Sequence, residues 1–514
     1  MPTRCQFVTI LILLAIPGVS QSGPPDARQL ARSIDRHLEQ SWKRNAVQPN
    51  APATDAEFLR RVTLDLVGRI PTVSEVREYL DNRQPDKREQ LVNRLLQSSA
   101  SARHIGLFWR KTWLPQTEIQ AATNDGTDEW LAAQIQNQRP YDQMVRDFLI
   151  ATDRVGGSPG TGLGTPIVPR SFLTTNENKP ENLAGALGRA FLGINLDCAQ
   201  CHDHPFARWT RDQFWETAAF FATPVQMPES GTTKLAIKIP NTTRLVEPRL
   251  LANTPIRWPS TRDETTGRKV LANWVTSSDN PYFARNVVNR LWAYFFGLGL
   301  VEPVDDLAGE VPTLHPELLD DLATGFIASR YDLGFLIRAI VLSRAYGLSS
   351  MGNNHQTLVL QNRYFARMPV RGLTGEQLYD SLHIAAGLPL LRTDLDTPDR
   401  HRERTRFVAQ FANIQTGHSQ RSIIQTLTMM NGDISRQLTN PKSAPTLTSA
   451  FQLPFLDARE KLEMLFLATV NRPPTDDEWS QIQRRLKPDD SNLESTLTDL
   501  FWALLNSAEF HTNH

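Results

Sequence analysis

A chain of 514 residues is longer than one ordinary domain, and with 40% apolar and 21% charged residues it can bury a substantial core. Lys plus Arg and Asp plus Glu both number 55. That balance gives no ground for expecting nucleic acid or an anionic membrane as a partner.

The first residues read as a secretory signal. Arg4 supplies a short positive region, Phe7 to Ile16 form an apolar run too short to span a bilayer, and Pro17 to Ser22 offer small residues for cleavage. Residues 1–22 are therefore expected to be a signal peptide that carries Cys5 away with it. The mature chain is expected to have no membrane span and to reside in the periplasm or at the cell surface. Only Cys198 and Cys201 then remain, in an oxidising compartment. Structural disulfides there usually join distant segments, and a pair three residues apart staples almost nothing.

The mature chain reads as mainly α. Leu30, Ile34, Leu38 and Trp42 recur every four residues as one apolar stripe. Thr54-x-x-Glu57 is a capping box opening a helix through Leu66, with Gly68 as its stop. Thr72-x-x-Glu75 opens another, Asp86 to Leu96 a third, and Trp109 and Trp113 belong to the next. Residues 128–150 predict two short helices separated at Pro140. Residues 156–170, dense in Gly and Pro, predict a loop lying near the 198–205 segment. A helix from Asn182 to Gly193 leads to Cys198, and Thr210 caps one carrying Phe214, Trp215, Phe220 and Phe221.

Residues 223–265 are rich in Pro and Thr, and Lys234 to Ile239 alternate like a strand. Helices are then expected over Pro281–Phe296, His315–Ser329 and Leu333–Tyr346, loops over 349–365 and 387–405, and helices near 374–386, 419–430, 458–470, 475–485 and 492–508. The resulting expectation is two helical domains, 23–225 and 266–514, joined by a Pro/Thr-rich junction at 226–265 that has room for a small β element.

The sharpest motif is Cys198-Ala199-Gln200-Cys201-His202-Asp203-His204-Pro205. C-x-x-C-H is the attachment signature of a c-type haem: two thioether links from Cys198 and Cys201, and His202 as axial ligand to iron. On an α-helical turn these three positions would share a face. Met227 is a candidate sixth ligand, although a methionine more often just fills a gap. Asp203 is a candidate to orient an imidazole, and His204 is the second choice as a metal ligand. A competing reading is a zinc or iron ion held by some of these side chains together with a distant His104 or His315. A thiol–disulfide pair is weaker, because the βαβ pattern of such proteins is missing. A binding or scaffold protein without catalysis is the remaining class.

Arg285, Asn289 and Arg290 fall at helical spacings and are candidates for an acidic ligand or haem carboxylates, with an ordinary salt-bridged face the preferred reading. His315-Pro316-Glu317 reads as a helix start. No Gly-x-Ser-x-Gly or His-Glu-x-x-His motif is present, which leaves open whether the chain is an enzyme.

Several stretches together resemble the planctomycete cytochrome-C-like family of exported proteins. They are Leu59-Arg60-Arg61-Val62-Thr63-Leu64-Asp65-Leu66-Val67-Gly68-Arg69-Ile70-Pro71-Thr72, Pro140 to Gln143, and Phe191 through Cys198 and Cys201 to Trp209. In the second half they are Asn280 to Arg285, Val288 to Trp292, Gly297 to Val301, His315 to Leu319, Ser343 to Tyr346, and Trp502 to His514. The resemblance implies a cytochrome-like N-terminal domain of unknown function followed by the family's C-terminal domain, also of unknown function. The family's name suggests haem, and its activity is largely unassigned; covalent haem c with an electron-transfer or redox role is the expectation from the C-x-x-C-H motif, and with no second C-x-x-C-H in the chain a separate cytochrome is the candidate redox partner.

Overall fold

The computed structural model describes residues 26–115, 126–151, 168–204, 207–227, 231–259, 263–308, 313–352, 355–390, 398–411, 423–487 and 492–514. The expected signal peptide and most of the 156–170 loop lie outside the described residues. The fold is mainly α, with three two-stranded antiparallel ribbons among the described residues. Two sit in the junction, pairing Pro224–Gln226 with Thr233–Leu235 and Ile237–Lys238 with Leu245–Val246, so the expected strand over 234–239 is broken at Ala236. The third pairs Arg371–Gly372 with Thr512–Asn513 and ties the end of the chain to its middle.

Local signals set most boundaries. Helix Ala27–Arg44 buries Ile34, Leu38 and Trp42. Thr72 and Glu75 make a reciprocal capping box for Val73–Asp81, and Thr475 and Glu478 do the same for Asp476–Gln483. At Thr54 only half of the expected box forms. Its hydroxyl accepts from the Glu57 N–H, but the Glu57 carboxylate turns to Arg61 and to the Ser350 N–H instead. Gly68 ends helix Asp55–Val67 at φ +78, and a Cβ there would lie 2.4 Å from His104 Nδ1. Only glycine meets both conditions.

Two expected loops contain helices. His355–Arg363 lies within 349–365, where Val359 and Leu360 are more than half exposed and leave no inward stripe to read. Pro398–Phe411 overlaps 387–405. Its inward residues, Phe407, Val408 and Phe411, crowd its far end behind a highly charged first half.

Buried apolar side chains form two main clusters. One runs from Ile34 to Met368 with Leu467 and takes residues from both sides of the Pro/Thr-rich junction. The other gathers residues from Leu373 to Phe510 with Leu64 and Ile70. The hydrophobic packing thus does not divide at 226–265. Helix Asp55–Val67 lies between the clusters, giving Phe58, Leu59, Val62 and Leu66 to the first and Leu64 to the second. It is buried all round from Phe58 to Val67, including Arg60, Arg61, Thr63 and Asp65.

Arg60, Arg61 and Asp65 on that helix bond to distant groups. Arg60 donates to the Thr469, Glu509, Phe510 and Thr512 carbonyls and to Asn471 Oδ1. Burial pulls its pKa down to about 10. Arg61 reaches Glu57 Oε1 at 2.8 Å and the carbonyls of Tyr346 and His514. The Asp65 carboxylate accepts from Arg371 Nη2, which lies 2.9 Å from each of its oxygens, from the Tyr346 hydroxyl and from the Asn513 amide. A buried carboxylate is tolerable only with partners of this number.

Candidate functional site

The chain reaches the cysteines through helix Pro180–Leu187, which starts on a proline at its first position. The expected helix does not run on to Gly193 as an α-helix. It widens into a π turn over Gly188–Leu192, closed by Gly193 at φ +62. A short 3-10 turn, Asp197–Gln200, follows and ends at Cys201.

That turn changes the expected geometry. The 3-10 turn stops at Gln200, Cys201 caps it and His202 lies in the bend beyond, so the three positions do not share one α-helical turn. Both thiols are free and exposed, and His202 and Asp203 are exposed as well. Ala199 is fully buried and anchors the turn from beneath, and the Trp215 indole N–H donates to the Gln200 carbonyl at 3.0 Å. Asp197, the first residue of the turn, is ion-paired with Arg189. A Cβ on Gly185 would collide with Asp197 Oδ1, so the glycine makes room for that carboxylate.

The two imidazoles have different proton positions. His202 Nδ1 lies 2.7 Å from the Asp203 carbonyl oxygen. A carbonyl can only accept, so Nδ1 carries the proton and in the neutral ring the lone pair lies on Nε2. This is the arrangement in which a metal-ligating histidine is oriented by a backbone carbonyl. His204 is the reverse: its Nδ1 accepts the Ala207 N–H at 2.9 Å, which places the ring proton of the neutral form on Nε2. The Asp203 carboxylate orients neither ring. Its Oδ1 accepts from the N–H of Arg211, the first residue of helix Arg211–Ala218.

The remaining candidates lie apart from this turn. His104 Nε2 is 2.7 Å from the Tyr294 hydroxyl, and burial lowers its pKa to about 4. His315 precedes Pro316 at the start of helix Pro316–Ala328 as expected, packs on the rings of Tyr364 and Phe365, and is also pulled down to about 4 by burial. Met227 sits in the turn of the first junction ribbon, where its carbonyl accepts the Gly231 N–H. Among the described residues no three of His, Cys, Asp and Glu converge as a ligand set for a metal ion. A cleft of roughly 400 Å³ opens elsewhere, between Arg28, Phe58, Arg88 and Ser343.

Arg285, Asn289 and Arg290 have separate tasks. Arg285 pairs with Asp320 on the surface at 2.5 Å. Asn289 is fully buried and exchanges two 2.9 Å bonds with the Val301 backbone. Arg290 donates to the Arg189 carbonyl at 2.6 Å and to Asn286 Oδ1 at 2.8 Å. Asn286 went unnoticed in the sequence. The available signal was its place four residues before Arg290, on the same helix face.

A family model for PSCyt2, a protein of unknown function (DUF1549), matches residues 33–225, and one for PSD1, a protein of unknown function (DUF1553), matches residues 267–406. The chain belongs to this two-domain family. The cysteine turn lies in the PSCyt2 domain, and Asn286, Arg290 and the helix that carries them lie in the PSD1 domain. Comparison with curated proteins and with solved structures gives no match. No helix among the described residues is long and apolar enough to cross a membrane.

Proposed function

We propose that this chain is an exported c-type haem-binding protein with an electron-transfer role, with Cys198 and Cys201 as its thioether links and His202 as the axial ligand. The observation that carries the reading is the His202 tautomer: Nδ1 is committed to the Asp203 carbonyl and Nε2 is left with its lone pair, beside the free and exposed thiols of Cys198 and Cys201. Those residues fit the group. Bound there, a haem would supply one-electron chemistry whose potential depends on its second axial ligand and on burial. The chain's own part is to hold the thiols in register, fix the ring of His202, and present the turn where a redox partner such as a separate cytochrome can approach. Export rests on the Arg4 and Phe7–Ile16 pattern.

A zinc or iron ion at the same residues has less support. His204 Nδ1 is already an acceptor, and the side chains of the motif do not converge with a third ligand among the described residues.

The test is an absorption spectrum and a denaturing-gel haem stain of the protein purified from a host that attaches haem. A reduced-form α band and a stain that survives denaturation, both lost in Cys198→Ala/Cys201→Ala, are expected. Neither signal on the wild type would end the haem reading, and metal analysis of the same preparation would then address the ion.

A further inference from the structure

The segment that delivers the cysteine turn is held by the other domain. In an α-helix the Gly193 N–H would bond the Arg189 carbonyl, and the Ile194 N–H would bond the Ala190 carbonyl. Here both N–H groups go to Gly188 instead. The π turn therefore leaves the carbonyls of Arg189 and Ala190 without these helical partners, in a place where an unpaired carbonyl is costly. The PSD1 domain supplies the donors. Arg290 Nη2 donates to the Arg189 carbonyl at 2.6 Å and Asn286 Nδ2 to the Ala190 carbonyl at 2.9 Å.

The pair is itself locked. Arg290 Nε donates to Asn286 Oδ1 at 2.8 Å, so the amide of Asn286, only 1% exposed, has one orientation that satisfies both ends. Next to it the Leu307 N–H donates to the Gly193 carbonyl at 2.8 Å. A Cβ on Gly193 would lie 2.8 Å from Asn286 Oδ1 and 2.9 Å from Leu307, so the domains meet where no side chain fits. The side chain of Arg189 carries the grip onward, because its guanidinium pairs with Asp197, the residue before Cys198.

We infer that Asn286 and Arg290 of the PSD1 domain are positioning residues for the Cys198–His202 turn, acting through the Arg189 and Ala190 carbonyls and the Arg189–Asp197 pair. The second domain is then a working part of the site. The haem arm of the test rests on the function proposed above; a thiol arm does not.

In the thiol arm, haem-free protein is alkylated with a maleimide, and the ratio of the Cys198 and Cys201 rates is read by peptide mass analysis. Asn286→Ala and Arg290→Ala are expected to move that ratio about two- to tenfold, the factor that one net hydrogen bond is worth. Arg290→Lys, which keeps a cation but loses the Nε–H bond to Asn286, serves if Arg290→Ala does not fold, and is expected to shift the ratio less. Asn289→Ala is the control. From the same helix it frees the Val301 backbone beyond the helix end without touching 188–193, and should leave the ratio at the wild-type value. In the haem arm, the folded variants are expected to carry less covalent haem and to show a shifted midpoint potential. An unchanged ratio in Asn286→Ala and in the folded Arg290 variant, or an equal shift in Asn289→Ala, would overturn the assignment. A wild type that takes no haem but shows the ratio shifts would overturn the proposed function and leave the positioning role standing.

Discussion

Two stretches of this chain stand out in the sequence, and they differ in how the fold uses them. In Leu59 to Thr72 the unusual residues are buried: Arg60, Arg61 and Asp65 are each about 1% exposed, and bond to groups as remote as Tyr346, Arg371, Asn471 and Asn513. In Cys198 to His204 the cysteines, His202 and Asp203 are exposed and His204 is half-buried, and the bonds of His202, Asp203 and His204 include short-range ones that orient rings and cap a neighbouring helix. The first motif is explained by what it holds together. The second leaves two free thiols and an imidazole nitrogen that no folding argument requires. A distinctive motif with satisfied, buried groups speaks of architecture, and one with exposed, reactive groups speaks of chemistry.

That contrast breaks most visibly if its first half fails. Asp65→Ala removes the carboxylate partner of the buried Arg371 and is expected to cost about 3–5 kcal/mol, measured by denaturant unfolding. A loss near that of an ordinary surface substitution would show that the hub is not what joins the two clusters. Gly68→Ala forces a side chain into a φ of +78 and against His104, and is expected to cost about 1–3 kcal/mol.

A pH series sharpens the same contrast. Burial lowers the His104 pKa from an ordinary 6.5 to about 4. The unfolded chain therefore takes up that proton at higher pH than the folded one, so the stabilisation is present above 6.5 and is lost as the pH falls towards 4. His315 and His514 are lowered to about 4 for the same leading reason. His104→Gln should flatten, without abolishing, the fall in unfolding midpoint between pH 6.5 and 4; an unaltered slope would contradict the buried neutral state of this ring.

The smallest effect on folding is expected at the site itself. Cys198→Ser and Cys201→Ser alter exposed side chains with no structural bond to lose, and should change stability by no more than about 0.5 kcal/mol.

Legibility in the sequence followed the range of the interactions. The capping boxes at Thr72 and Thr475, the stop at Gly68 and the proline start at Pro316 are settled within a few residues, and all were readable. The partners of Arg60 and Asp65 lie about 280 to 450 residues away and left no local trace. Helix Pro398–Phe411 hid because its early turns are almost wholly charged. At the site, the residue types and their chemistry were plain, but the turn that carries them was not. The π turn before Cys198 meets donors from Asn286 and Arg290, about a hundred residues on, and in place of the expected α-helical face Cys198, Cys201 and His202 span a 3-10 turn and the bend beyond it.

The most direct test of this contrast compares wild type with Cys198→Ser/Cys201→Ser, made in the same haem-attaching host, by unfolding midpoint and denaturation-resistant haem stain on one preparation. The account predicts a haem-free variant whose stability, measured against haem-free wild type, is within about 0.5 kcal/mol, and a wild type that stains. A wild type without stain, or a variant that loses its fold with its cysteines, would contradict it.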